Sequence, residues 1–330
     1  MEGVATIPAM TEPDPISRCL IIGGCGFIGH NVTRMCHDMG SQIEVVDICT
    51  NYGIYPEEEH NKKIDRRMSQ MPDVPIHRTP IEDDAAIDEI VGRFKPTTII
   101  HLASIPVASL SIKHPMMASS QMILGTVSIL EAARRHKVQR MLYVSSSMVY
   151  GEFISPTAGE DHPKEPNDVY GNLKLASERL VRSYTMIHGL EHVIIRPSAV
   201  YGPTGNETFV ITKFVKAALN NEKIIIKGPD TRLDFTYVED TARGITLAAH
   251  SPDAGNQTFN ITCGNARKLT DVVEYLEDRL GGIDVEIAPP EKDYPRRGAL
   301  DIRRAEETFG YQPKHQLHAG LENMIREYQS

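Results

Sequence analysis

Tyr170 and Lys174 stand four positions apart in Asp168–His188, a segment whose spacing predicts a helix. Residues at i and i+4 share a helix face, so the phenol and the ammonium would point the same way. At its ordinary pKa of about 10, tyrosine is a poor base near neutrality. A neighbouring ammonium favours the phenolate and lowers that value. Upstream, Val144-Ser145-Ser146-Ser147 ends a predicted strand with three hydroxyls, which would be costly to bury without partners. At the carboxyl end of a parallel strand they would face a ligand crevice instead. Hydroxyl, phenol and ammonium together make a proton-transfer set suited to oxidising a secondary alcohol. Taken alone, Y-x-x-x-K reads more simply as a capping tyrosine and a solvated lysine. The rest of the chain decides between the two.

An alcohol oxidation needs a hydride acceptor, and the N-terminal region offers a place for one. Ile21-Ile22-Gly23-Gly24-Cys25-Gly26-Phe27-Ile28-Gly29-His30 sets a run of glycines directly after apolar residues. Gly23, Gly26 and Gly29 fall between a predicted strand, Arg18–Ile22, and a predicted helix, Phe27–Met39. Glycines there permit a tight turn, close approach of a pyrophosphate and close packing of helix on strand. The helix N-terminus presents free N–H groups and a positive dipole end to phosphates. Asp47 ends the next predicted strand, Ile43–Val46, where an acid would accept a hydrogen bond from a ribose 2′-hydroxyl. The same acid would repel a 2′-phosphate, so NAD is expected rather than NADP. Cys25 reads as a small residue at a variable position of the turn.

The elements that must position these groups alternate along the chain. Ala85–Phe94 predicts a helix, Thr97–His101 a strand, Ala118–His136 a long helix, and Arg140–Ser145 and Val193–Arg196 further strands. This alternation predicts an α/β fold, a Rossmann-type doubly wound parallel sheet with right-handed crossovers. After Pro203 the texture changes. Phe209–Asn220, Thr270–Leu280 and Ala319–Tyr328 predict helices, and Lys223–Lys227 a short strand. These predict a smaller, discontinuous α/β C-terminal substrate lobe. The expected boundaries are a tail over 1–17, a cofactor domain over 18–203 with a return segment 234–262, and a substrate lobe over 204–233 and 263–330.

The bulk numbers narrow the function classes. The chain has 330 residues, 41% hydrophobic and 24% charged, with a net charge of −9. That balance suits a soluble globular protein and argues against a nucleic-acid surface, which demands a basic field. Five cysteines without a C-x-x-C pair predict neither a disulfide framework nor a metal site, and suit the reducing cytoplasm. No apolar run approaches the roughly 18 residues of a membrane span. Met1–Ser17 lacks the basic start and apolar core of a signal peptide, so a flexible tail is expected.

In this order the motifs resemble the extended short-chain dehydrogenase/reductase family, specifically its NAD-dependent nucleotide-sugar epimerases and dehydratases. The resemblance runs from Cys19 to about Tyr328. It rests on Gly23 to Gly29, Asp47, His101-Leu102-Ala103-Ser104, Ser145 to Gly151, Tyr170 to Lys174, Arg196 to Pro203, Asp234 to Asp240, and Arg296-Arg297-Gly298. It implies NAD held by Gly23, Gly26, Phe27, Ile28, Gly29, Asp47, Ile81, Leu102, Ala103, Ser104, Ser145, Tyr170, Lys174 and Val200. It implies Ser146, Tyr170 and Lys174 as the catalytic set. It places Ser146, Ser147, Ser198 and Arg297 against a nucleotide-diphosphate sugar in a cleft between the lobes. It also implies a homodimer formed through Ala118–His136 and Asp168–His188.

Several positions depart from the family pattern. Ser147 and Met148 stand where 4,6-dehydratases carry acids, which favours an epimerase that passes through a 4-keto sugar and recycles NAD in place. The family's R-D-F arginine is Leu233, and Arg232 lies one position early, on the opposite strand face. Arg297 or Arg296 would then carry more of the diphosphate contact. Ala199 and Met122 each replace a family asparagine. Other readings of the same residues are a nucleotide-sugar dehydrogenase or reductase, a C2 epimerase, and a non-catalytic NAD-sensing protein.

Overall fold

Alternate residues of strand β1 (Arg18–Ile22) enter opposite cores, Cys19 and Ile21 on one side, Leu20 and Ile22 on the other. All four are fully buried, because a parallel strand with helices on both faces has no solvent side. The computed structural model describes residues 17–71, 73–289 and 297–329. The expected tail up to residue 16, and Arg296, lie outside the described residues.

The main sheet holds β1, β2 (Gln42–Val46), β3 (Ile76–His77), β4 (Thr98–His101), β5 (Arg140–Val144) and the strands Glu191–Pro197 and Gln257–Ile261. Their spatial order is Gln257–Ile261, Glu191–Pro197, β5, β4, β1, β2, β3. Every pairing is parallel. The doubly wound α/β expectation is met. From β1 the chain runs outward through β2 and β3, then returns to β4 on the other side. A crevice opens outside the carboxyl ends of β1 and β4 at this reversal.

One face is covered by α1 (Gly29–Asp38) and the helix Val238–His250, which contribute Val32, Cys36, Ala242 and Ile245. On the chain's way to the other face lies a polar helix, α2 (Glu57–Met68). That face is covered by α3 (Asp84–Phe94), Gly125–Arg135 and Val169–His188, through Ile87, Val91, Ile129 and Val181.

The single helix expected over Ala118–His136 is instead interrupted. It begins as Pro115–Ser119, widens into a π turn over Ser120–Leu124 and resumes at Gly125. Within this turn the Met122 carbonyl accepts from Thr126 Oγ1 and Ser177 Oγ, both at 2.7 Å. The Ser177 hydroxyl thus ties this turn to the helix Val169–His188, a contact across helices that periodicity does not encode.

Beyond Pro203, the helices Val210–Leu219, Leu269–Leu280 and Leu317–Gln329 enclose a separate core around Phe214, Ile226, Val272 and Leu321. A two-stranded parallel ladder pairs Ile224–Lys227 with Val285–Ala288. Among the described residues, no helix is long and apolar enough to cross a membrane.

Candidate active site

The turn after β1 is built on close approach. Gly23 has φ +86°, and a Cβ there would sit 2.6 Å from the Ala103 nitrogen. A Cβ on Gly29 would sit 2.0 Å from the Gly23 oxygen. No side chain caps the start of α1, and its first turn carries no acid. Its opening amides therefore have no side-chain acceptor, which suits an anion. Asp47, just past β2, leans on the same turn: Oδ2 accepts from the Cys25 N–H at 2.9 Å and Oδ1 from the Cys49 N–H at 2.8 Å.

The second group is assembled by the helix Val169–His188. Asp168 Oδ1 accepts from the Gly171 N–H at 2.8 Å and fixes where that helix begins. A Cβ on Gly171 would meet the Met148 carbonyl oxygen at 2.7 Å, so glycine lets the helix start press against the serine loop. Lys174, one turn later, is buried, and its Nζ donates to the Val144 carbonyl at 2.8 Å. The ammonium lies 5.8 Å from the centre of the Tyr170 ring and 5.1 Å from that of Tyr143.

Burial pushes Lys174 down to about 7, with Glu178 pulling the other way. Burial pushes Tyr170 up to about 12, partly offset by the Ser104 and Ser146 hydroxyls. A low-dielectric surrounding thus opposes either charge when it stands alone.

The expected substrate residues also meet. Ser146 Oγ accepts from the Met148 N–H at 3.2 Å, and Ser147 Oγ donates to Ser198 Oγ at 3.1 Å. Arg297 Nη1 donates to the Ser147 carbonyl at 2.9 Å, with its guanidinium 5.8 Å from the Phe153 ring centre. Every cofactor, catalytic and substrate residue expected from the sequence lines one cleft of about 1180 Å³.

The residues fit a dinucleotide on three observations. The glycine turn has no room for a Cβ, the helix start is uncapped, and Ser145 Oγ is buried in the cleft with no hydrogen-bond partner among the described residues. Gly23 to Gly29 with α1 would hold the phosphates and Asp47 a ribose. Ile81, Leu102, Ala103 and Val200 would supply apolar walls.

The departures from the family pattern have local accounts. Leu233 lines the cleft, whereas Arg232 is exposed. Asp234 is fully buried and structural. Its Oδ2 accepts from Thr262 Oγ1 and the Leu300 N–H, both at 2.9 Å, while burial pushes its carboxyl up to about 6. Met122 packs in an apolar cluster beside Tyr170 and Leu173. Ala199 has φ +39°, in the left-handed region that asparagine tolerates better than alanine.

Sequence reasoning missed the contribution of α2. Arg67 is buried and donates to the Cys25 carbonyl at 3.4 Å and to the Thr204 carbonyl, joining the glycine turn to the start of the C-terminal lobe. Lys63, one turn earlier, pairs with Glu207 across the same gap. The buried face of α2 is His60, Ile64 and Arg67. That spacing is helical, but only one of the three is apolar, so hydrophobic periodicity is silent.

Comparison with known proteins identifies the family. Residues 19–262 match the model of the NAD dependent epimerase/dehydratase family. A UDP-glucose 4-epimerase of Mycolicibacterium smegmatis is 29% identical, covering 95% of this chain and 99% of that one. A dTDP-glucose 4,6-dehydratase of Actinoplanes sp. is also 29% identical, covering 95% and 98%. The crystal structure of a Thermotoga maritima UDP-glucose 4-epimerase with UDP-glucose superposes with a TM-score of 0.83 at 25% identity, covering 94% and 98%. On the family match over most of its length, the chain belongs to the NAD-dependent epimerase/dehydratase family.

Proposed function

We propose that this protein is a nucleotide-sugar epimerase that inverts C4 of the sugar through a transient 4-keto sugar. The observation that carries this reading is the convergence of Ser146, Tyr170 and Lys174 in one cleft with the glycine turn and Asp47. The relatives named UDP-glucose 4-epimerase support a UDP-sugar as substrate.

Bound NAD supplies reversible hydride acceptance at the sugar carbon. Tyr170, as phenolate, takes the proton of the sugar hydroxyl, and Ser146 donates a hydrogen bond to the same oxygen. Lys174 offsets the phenolate charge at close range. The planar ketone turns over in the cleft, and Tyr170 returns the proton to the new alcohol. Arg297 holds the Ser147 loop and faces the cleft, where it would meet the diphosphate.

Dehydration would need an acid beside Ser146. The carboxylates lining the cleft among the described residues are Asp47, Glu82 and Asp168. Asp168 is committed to the helix cap and Asp47 to two backbone N–H groups. Glu82 shares the surroundings of Tyr52 with Asp47, on the glycine-turn side.

The test is proton NMR of UDP-, GDP- and CDP-sugars incubated with the enzyme. The reading expects interconversion of C4 epimers with no net NADH. Stoichiometric NADH consumption or release would instead make it a reductase or dehydrogenase.

We also propose a homodimer in the cytoplasm. Met116 and Leu124 are 83% and 62% exposed on the interrupted helix, with Met186 and Ile187 at 86% and 72% on its neighbour. All five cysteines are free thiols, which suits a reducing compartment. Light scattering should give twice the chain mass, and Leu124→Asp should give the monomer.

A further inference from the structure

Cys25, in the glycine turn, and Cys49, just past β2, are free thiols that the chemistry above does not use. Their sulfurs and a carboxylate oxygen of Asp47 all lie within 4.8 Å of one another. Asp47 orders the set, because its two oxygens accept from the backbone N–H groups of Cys25 and Cys49 at 2.9 and 2.8 Å. Each oxygen keeps a further lone pair. His60 Nε2 lies 2.8 Å from the Cys49 carbonyl and holds that segment from the α2 side. Cys25, Asp47 and Cys49 all border the cleft, so the cluster is reached from it.

Two thiolates and a carboxylate suit a borderline-soft cation such as Zn²⁺, with water in the fourth tetrahedral place. Zn–S bonds of about 2.3 Å and Zn–O bonds of about 2.1 Å set ligand atoms roughly 3.5–3.8 Å apart. Closing the cluster requires shifts of only about 1 Å on that scale. Three ligand anions exceed a divalent cation by one negative charge. Arg67, which reaches the Cys25 carbonyl at 3.4 Å, and Arg78 stand near enough to offset it. With no cation present, the hydrogen bond to Cys49 and burial push the Cys25 thiol up. Each thiol that becomes a ligand releases its proton to solvent.

We infer that Cys25, Asp47 and Cys49 form a site for a thiophilic divalent cation, and that cation and dinucleotide exclude one another because both claim Asp47. The exclusion rests on the dinucleotide reading of the turn; the cation site does not.

The full chain, stripped of metal and cofactor and kept in a non-thiol reductant, is titrated with Cd²⁺, whose thiolate charge-transfer band reports sulfur ligation. Zn²⁺ stoichiometry is read by equilibrium dialysis. The expected result is one cation per chain, with affinity falling about ten-fold or more in Cys25→Ser, Cys49→Ser and Asp47→Asn. Cys263→Ser, at a thiol elsewhere, should leave it unchanged. In the unmodified chain, bound Zn²⁺ should slow alkylation of Cys49, a readout independent of how the variants fold. Saturating NAD should weaken Cd²⁺ binding about ten-fold or more. Equal Cd²⁺ binding by the Cys25→Ser/Cys49→Ser double variant, or unprotected alkylation, overturns the site. If NAD binds, as read separately by ligand release and quantification, yet leaves Cd²⁺ affinity unchanged, the exclusion is overturned.

Discussion

Lys174 Nζ donates to the carbonyl of Val144 at 2.8 Å, the residue immediately before the serine run. That bond ties the helix carrying Tyr170 to the carboxyl end of β5, where the hydroxyls emerge. The lysine is therefore both a fold contact and a chemical group. Its position is pinned to the strand whose next residues line the cleft.

Removing the Tyr170 hydroxyl should act on chemistry rather than on binding. Tyr170→Phe keeps the ring that packs beside Met122 and Leu173. Its kcat is expected to fall by about 10²–10⁴, with KM changed little, the range usual for a lost general acid–base. Steady-state epimerisation kinetics measure it. Activity near that of the unmodified enzyme would remove Tyr170 from the mechanism.

Lys174 should make stability depend on pH. Its folded value of about 7 lies below the 10.5 of the free side chain. Below pH about 7 both states are protonated, and the full cost of burying the charge is present. Between about 7 and 10.5 the folded lysine is neutral while the unfolded one stays charged, so the cost fades as pH rises. Lys174→Met is expected to stabilise the cofactor-free protein near pH 6, by at most about 5 kcal/mol at roughly 1.4 kcal/mol per unit. The gain should shrink steadily towards pH 10. Denaturant melts across that range provide the check, and a gain independent of pH would contradict it.

Gly29→Ala should abolish cofactor retention. The new Cβ meets the Gly23 carbonyl oxygen at 2.0 Å, and backbone cannot step aside cheaply. Gly159→Ala, where the nearest atom is 4.0 Å away, serves as the control. NAD released from purified protein and quantified per chain should be near the full amount in the control and near zero in Gly29→Ala.

Ala199 offers a stabilising change. At φ +39° an alanine holds a conformation disfavoured by about 1–2 kcal/mol. Ala199→Asn should recover about 0.5–1 kcal/mol, since asparagine visits the left-handed region more readily. Chemical denaturation midpoints measure it. Ala199→Val, β-branched, should move the midpoint the other way.

Much of the site was legible because its parts are local. The glycine spacing, the acid after the next strand, and the four-residue step from Tyr170 to Lys174 each lie within one short segment. The strands were legible for the same reason, since Cys19–Ile22 and Met141–Val144 are continuous apolar runs buried on both faces. By contrast, α2 buries His60 and Arg67 on its inner side and escaped a search for apolar periodicity. The π turn at Ser120–Leu124 receives a hydrogen bond from Ser177 on another helix, which no local pattern reports.

By itself, the sequence determined that this chain builds a dinucleotide turn and a tyrosine–lysine–serine set on a doubly wound sheet. Short spacings translate directly into shared faces and tight turns. Only the tertiary structure decided which distant groups meet. It brought Arg67 to the carbonyls of Cys25 and Thr204, Arg297 to the Ser147 carbonyl, and the Cys25 N–H to Asp47. Those contacts join residues tens to more than a hundred positions apart. They arise from how buried polar groups find partners once the sheet has folded, and chain spacing carries no record of that.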